Sequence, residues 1–168
     1  MVYRFFDDGS IDVQLTAQVK EKHSPLPRLG FEFRLPREAQ RFCYYGYGPH
    51  ESYCDLYKHD TVGMYESSAA EEYVPYILPQ EHGNHYGTKL LKTANGLSFA
   101  ADSVFEINVS EYSIQALTKA THTDELEKDG SVIVRIDYRN AGVGCDKIWE
   151  ENTIGEKEIS FGFRIEIA

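Results

Sequence analysis

Apolar and polar residues alternate with a period of two along most of this chain. Ile11, Val13, Leu15, Ala17 and Val19 alternate with Asp12, Gln14, Thr16, Gln18 and Lys20, the pattern of a β-strand with one face on a core and one face wet. Leu29, Phe31, Phe33 and Leu35 face away from Arg28, Glu32 and Arg34 in the same way. Phe105, Ile107 and Val109 repeat the pattern, as do Val132, Val134, Ile136 and Tyr138. The chain closes on Ile159, Phe161, Phe163, Ile165 and Ile167, a run long enough for a central strand. Asp8-Gly9, Asn95-Gly96 and Asp129-Gly130 supply turns, the last two as tight hairpins or short connections. Only Tyr112 to Glu127 invites a helix, with Ser110 or Ser113 as cap and Ile114, Leu117 and Thr121 on one face. About ten strands and at most one helix predict an all-β fold, an antiparallel β-sandwich.

Composition bounds the rest. With 168 residues the chain has room for one domain, residues 1–168, and enough bulk for a real core. The net charge of −10, with no cluster of Lys and Arg, argues against nucleic acid and against an anionic membrane surface. No stretch of about 18 apolar residues follows one another, so the sequence shows neither a leader nor a spanning helix. Cys43, Cys54 and Cys145 are odd in number and widely spaced. They read as reduced, mostly buried thiols, which fits a cytoplasmic chain.

Two stretches break the alternation: GYGPHESYCD at Gly46 to Asp55, and VPYILPQEHGNHYG at Val74 to Gly87. Gly, Pro, Tyr and small polar groups at this density predict loops held in one shape, where sites are commonly built. Gly46 and Gly48 permit close backbone approach or positive φ, and Pro49 fixes the next turn. Glu51, Tyr53 and Asp55 alternate their side chains if the chain resumes as a strand. Glu51 and Asp55 are candidates for an acid/base pair, but loop carboxylates more often accept backbone hydrogen bonds and set a turn, and scaffolding is the expectation. Pro79, Glu81, Gly83 and His85 are read as parts of a structural loop. Glu81, His82 and His85 offer three ligating side chains, yet Gly83 between the histidines and the lack of a distant fourth ligand predict no metal site. Trp149, the single tryptophan, reads on its own as a core or rim residue.

In order and spacing, GYGPHESYCD, YVPYILPQEHGN and GVGCDKIW at Gly142 to Trp149 resemble the C-terminal, small-chain module of the large β-galactosidases of glycoside hydrolase family 2. The resemblance runs over essentially the whole chain, from YRFFDDGSIDV through LPRLGFEF to the final strand. It implies that the sandwich is part of a many-stranded supersandwich like that of the galactose mutarotases, which in the family extends upstream of Val2. It also implies that the catalytic glutamates of a retaining mechanism lie on a separate (β/α)8 barrel absent from these residues. No cofactor is then expected in this chain, since the Mg and Na ions often used by the family bind outside the matched segment. The implied partners are the barrel and other domains of the parent enzyme and a galactoside such as lactose; sheet edges and apolar surface that those domains would cover predict self-association of the chain into a homo-oligomer.

Trp149 matches the family tryptophan that stacks on sugar, a contact that suits the apolar C–H face of galactose. Cys145 stands where the family usually has glycine, and Lys147-Ile148 where it has smaller polar residues. Two alternatives remain open at this point. An autonomous carbohydrate-binding module would carry several exposed aromatics on one face. A mutarotase-like epimerase would need a histidine acid and a glutamate base, for which His50, Glu51, Glu81 and His82 are the candidates.

Overall fold

The computed structural model of the chain describes residues 1–143 and 152–167. Trp149 and Cys145 lie outside the described residues. The strands are β1 (Val2–Phe5), β2 (Ile11–Gln18), β3 (Arg28–Leu35), β4 (Arg41–Gly48), β5 (Thr61–Ser68), β6 (Asn84–Thr93), β7 (Leu97–Ser110), β8 (Val132–Asn140) and β9 (Glu158–Ile167). Every pairing among them is antiparallel. The fold is an all-β sandwich, with nine strands among the described residues against the ten or so expected.

The sandwich is organised by β7, which at 14 residues is the longest strand. Its first half, Leu97 to Ala100, pairs with β9, which carries β2 and then β1. Its second half, Glu106 to Ser110, pairs with β8, which carries β3. On its other side β7 pairs with β6, which carries β4 and β5, and the register shifts between Thr88 and Leu90. The β9 arm and the β3 arm meet through aromatic side chains. Phe31 lies edge-on to Phe163 with ring centroids 5.3 Å apart, and Phe33 lies 5.2 Å from Phe99. These rings form one core with Val13, Ile107, Val134, Ile136 and Phe161, all inward members of the alternating runs. Each such side chain contributes roughly 1.5 to 3 kcal/mol by leaving water.

Three expectations are corrected here. The segment Gly46 to Gly48 is the end of β4, not a loop, and neither glycine has a positive φ. The glycine at 46 serves close approach, the other of the two roles expected of it, since a β-carbon there would lie 2.6 Å from Thr88 Oγ1. The chain does not resume as a strand at Glu51 to Asp55. Tyr53 and Leu56 exchange backbone hydrogen bonds of 2.8 and 3.0 Å, closing a tight turn. The helix is also shorter than Tyr112 to Glu127 and comprises α1 (Ile114–Lys119), capped by Ser113 Oγ, which accepts from Ala116 N at 3.1 Å. It stops because the Glu125 carboxylate takes the Thr121 amide at 2.7 Å and the Thr121 hydroxyl at 3.0 Å, starting a separate 3-10 turn at Thr123–Glu125.

The three turn signals are all used. Asp8-Gly9 and Asn95-Gly96 close the β1–β2 and β6–β7 hairpins with glycines at positive φ, and Asp129-Gly130 leads into β8. No helix among the described residues is long and apolar enough to cross a membrane.

Candidate functional site

The polar face of the β7–β8 pair is not wet. Glu106, Asn108, Ser110, Arg135 and Asp137 point away from the apolar core and are nevertheless buried. Two loops cover them, one joining β4 to β5 and one joining β5 to β6. Both loops are sewn to this face by side chains, because a buried polar group left without a partner would cost about 1 to 3 kcal/mol.

In the first loop Pro49 follows a cis peptide bond. Glu51 then binds across to the second loop: its Oε2 accepts the Gly83 amide at 2.9 Å, and its Oε1 accepts the Tyr76 hydroxyl. Ser52 donates its amide to Asn84 O at 2.6 Å, and its hydroxyl accepts the Tyr86 amide at 3.0 Å. Tyr53 is fully buried, and burial first, with Glu81 and Glu51 nearby, holds its phenol well above the ordinary range. Asp55 Oδ1 accepts the Val143 amide at 3.1 Å, and Cys54 Sγ lies 3.7 Å from Asn152 O.

In the second loop Pro79 is buried, and Glu81 receives Arg28 Nη1 at 3.1 Å and Asn108 Nδ2 at 3.3 Å. His82 faces Gln80 O at 2.8 Å and packs edge-on to Tyr73. Gly83 has φ +68, a conformation that other residues rarely adopt, and it turns the chain into β6. His85, expected in the loop, is instead the second residue of β6, paired with Ile107; it is buried, stacked 4.1 Å from the Tyr44 ring, with Nε2 2.9 Å from Glu72 Oε2. Glu81, His82 and His85 therefore each turn to a different partner and do not converge on one point.

Beneath the loops lies a layer of charges. Arg28 Nε donates to Asp137 Oδ2 at 2.9 Å, and its Nη2 donates to the same oxygen. Arg135, almost fully enclosed, donates to Asn108 Oδ1 at 2.8 Å and Glu32 Oε2 at 3.1 Å. Glu106 sits directly across from Asp137 in the β7–β8 register and accepts Asn84 Nδ2 at 2.7 Å. Burial lifts the Glu106 carboxyl to about 8, against the pull of Asn84 and of the Asn140 amide. Burial also raises Asp137, and Arg28 opposes it without prevailing. For Arg28, burial alone would lower the guanidinium, but Asp137 and Glu81 together keep it firmly charged.

The first two motifs, and the first two residues of the third, thus come together. Glu51 joins the first loop to the second, and Asp55 joins the first loop to the segment entered at Gly142. That segment has a closed base: Gly142 N donates to Asn152 O at 3.2 Å, and Leu26 and Ile154 exchange two bonds of 3.0 Å. Sequence reasoning missed Arg28, Asn84, Glu106, Asn108, Arg135 and Asp137 as the groups under the loops. Glu106, Asn108, Arg135 and Asp137 stand at the polar positions of alternating strands and Arg28 and Asn84 begin β3 and β6, so the local pattern gives no sign that they are buried. It also passed over a second cluster, where the two ends of the β4–β5 loop bring His50, His59 and Asp60 within reach of one another.

Comparison with known proteins agrees with these motifs. Residues 1–166 match the family described as beta galactosidase small chain. A β-galactosidase of Actinobacillus pleuropneumoniae is 37% identical over 144 residues, 86% of this chain and 14% of that protein. One of Streptococcus thermophilus is 35% identical over 154 residues, 89% of this chain and 15% of that protein. One of Staphylococcus xylosus is 28% identical over 165 residues, covering 94% and 17% respectively. The chain spans about a seventh of the length of the first two relatives, which places further domains beside it in proteins of that kind. Matched by that family almost from end to end, the chain belongs to the β-galactosidase small-chain family.

Proposed function

We propose that this chain is the non-catalytic C-terminal module of a retaining β-galactosidase. It forms part of a supersandwich that completes the sugar site and the subunit structure of a larger cytoplasmic enzyme acting on terminal β-D-galactosides such as lactose. One observation carries the reading: Glu51 and Asp55 tie the first loop to the second and to the base of the Trp149 segment. A rigid platform of that kind suits a module that presents one aromatic side chain to a site built elsewhere. A mutarotase-like reading draws less support, because Glu51, Glu81 and His82 are already engaged with Gly83, Arg28 and Gln80.

The chain by itself is expected to release no nitrophenol from a nitrophenyl β-galactoside, and co-production with the remainder of its enzyme is expected to restore hydrolysis. Retaining hydrolysis requires two carboxyl groups about 5 Å apart across the anomeric carbon, and the loop carboxylates are held by scaffold donors instead. Sustained turnover by the pure chain, abolished by Glu51→Gln or Glu81→Gln, would sink the proposal.

Trp149 is proposed to stack on the galactoside before bond cleavage. In the intact enzyme, Trp149→Ala is then expected to raise KM for lactose by roughly ten-fold, about 1.4 kcal/mol of uniform binding, with a smaller change in kcat. Acrylamide quenching of this single tryptophan tests the same point in the isolated chain. A fully protected indole would assign it to the core instead.

A further inference from the structure

The β4–β5 loop starts and ends at one place. Gly48 and Thr61 are paired in the β4–β5 register, so the residues that follow one and precede the other must lie side by side. Asp60 N also donates to Tyr57 O at 3.1 Å, which fixes the end of the loop. This closure sets His50 against His59 and Asp60. His50 Nδ1 lies 3.1 Å from Asp60 Oδ1, and His59 Nε2 lies 3.7 Å from the same oxygen. All three ligating atoms fall within 4.8 Å of one another.

The burial of these groups is uneven in an informative way. The Asp60 side chain is 0% exposed, whereas the imidazoles of His50 and His59 are 71% and 40% exposed. Asp60 Oδ1 also accepts the His50 amide at 3.4 Å, while Oδ2 has no hydrogen-bond partner among the described residues. A carboxylate set at the bottom of a cluster, short of partners, with two imidazoles above it facing water, is a cation-binding arrangement open on one side.

We propose that His50, His59 and Asp60 form a three-ligand site for a first-row divalent metal ion, with zinc as its best match. Two imidazole nitrogens and one carboxylate are a donor set that zinc accepts and that the harder Mg2+ and Ca2+ do not favour. Zinc bonds of about 2.0 to 2.1 Å at tetrahedral angles set ligand atoms roughly 3.3 Å apart. The two distances to Asp60 Oδ1, 3.1 and 3.7 Å, bracket that spacing, and the two imidazole nitrogens lie within 4.8 Å of each other, so side-chain rotations on the exposed histidines bring the set to it. The paired strand ends have already closed the loop, so binding orders little further chain. Solvent supplies the fourth ligand. A bound ion joins the two ends of the loop next to Glu51, clamping the first of the three motifs at its root.

The test is titration of the full 168-residue chain with zinc chloride, followed by calorimetry and repeated with cobalt(II) for its visible spectrum. The expected result is one saturable ion per chain, with Kd of about 10 μM or tighter. His50→Gln and His59→Gln should each weaken it at least ten-fold. His122→Gln, an exposed histidine away from the cluster, should leave it unchanged. Both cluster histidines are exposed, so their replacement leaves the fold intact, and circular dichroism checks this. Zinc should also raise the thermal midpoint of the unmodified chain but not that of the two variants. The proposal is overturned by the absence of saturable binding, by affinity unmoved in both variants, or by cobalt–thiolate charge-transfer bands that place the ion on cysteine.

Discussion

Arg28→Met is expected to remove about 3 to 5 kcal/mol of stability, because it leaves the buried Asp137 carboxylate without its guanidinium. A domain is typically stable by only about 5 to 15 kcal/mol, so the variant should sit near the edge of folding. The methionine keeps the apolar stem, and the loss is therefore one of charge and hydrogen bonding. Two donors to Asp137 Oδ2 and one to Glu81 disappear together, and the second loop loses its anchor to β3. The deficit should shrink toward acid pH. Asp137 already has a raised folded value, so the folded protein takes up its proton more readily than the unfolded chain and gains relative stability as pH falls. Adding Asp137→Asn to Arg28→Met should recover much of the loss. Urea unfolding at pH 5 and pH 8 measures all three chains, and a deficit below about 1 kcal/mol at pH 8 would refute the buried pair as a stabilising element.

Glu106→Gln should move stability in the opposite direction above neutrality. The Glu106 carboxyl, with a folded value of about 8, holds its proton across a range in which the unfolded side chain has already ionised. From pH 4.5 to 8 the folded state therefore binds more protons than the unfolded state, and stability falls as pH rises. Above pH 8 the contribution is gone. At about 1.36 kcal/mol per pH unit, this single carboxyl can cost the fold several kcal/mol over that window. Glutamine keeps an oxygen for the Asn84 amide and has no proton to lose. The variant should match the parent near pH 5 and exceed it by roughly 2 kcal/mol or more at pH 8. Parallel curves of unfolding free energy against pH would show that Glu106 titrates normally.

Both effects arise on a face that alternation reads as wet. The alternation of Phe105, Ile107 and Val109, like that of Val132, Val134 and Ile136, locates β7, β8 and the core from sequence alone. It says which face is polar, but not whether water or other parts of the chain cover that face. The cover consists of loops distant in sequence, tied by Arg28 to Glu81 and by Glu51 to Gly83, and no local pattern encodes such pairs. Gly46 and Gly48 fit the close-approach expectation, but the loop expected of them is the end of β4. Glycine signals either an unusual φ or a close neighbour, and that neighbour, Thr88, is 42 residues beyond Gly46 (88 − 46). The helix shrank because Glu125, by capping Thr121, competes with helix continuation. The site loops were legible from Gly, Pro and Tyr density, but the charges beneath them hold the ordinary polar positions of alternating strands, so nothing local marked them as buried.

The pairing of β2 with β9 has a consequence for how the protein is made. Ile11 lies opposite Ile165 and Leu15 opposite Phe161, so β2 finds this neighbour only after about 150 further residues (165 − 11) have been synthesised. At about 5 to 20 residues per second, the ribosome leaves Val13 and Leu15 without that neighbour for roughly 7 to 30 seconds. Far shorter times suffice for a hairpin to close, so β6 and β7 can join while β2 still waits. During that interval the β1–β2 hairpin offers an open apolar edge to any other nascent chain. This arm of the sandwich is therefore completed only once β9 has been made and slots between β2 and β7, and the β1–β2 hairpin must be kept from aggregating until then.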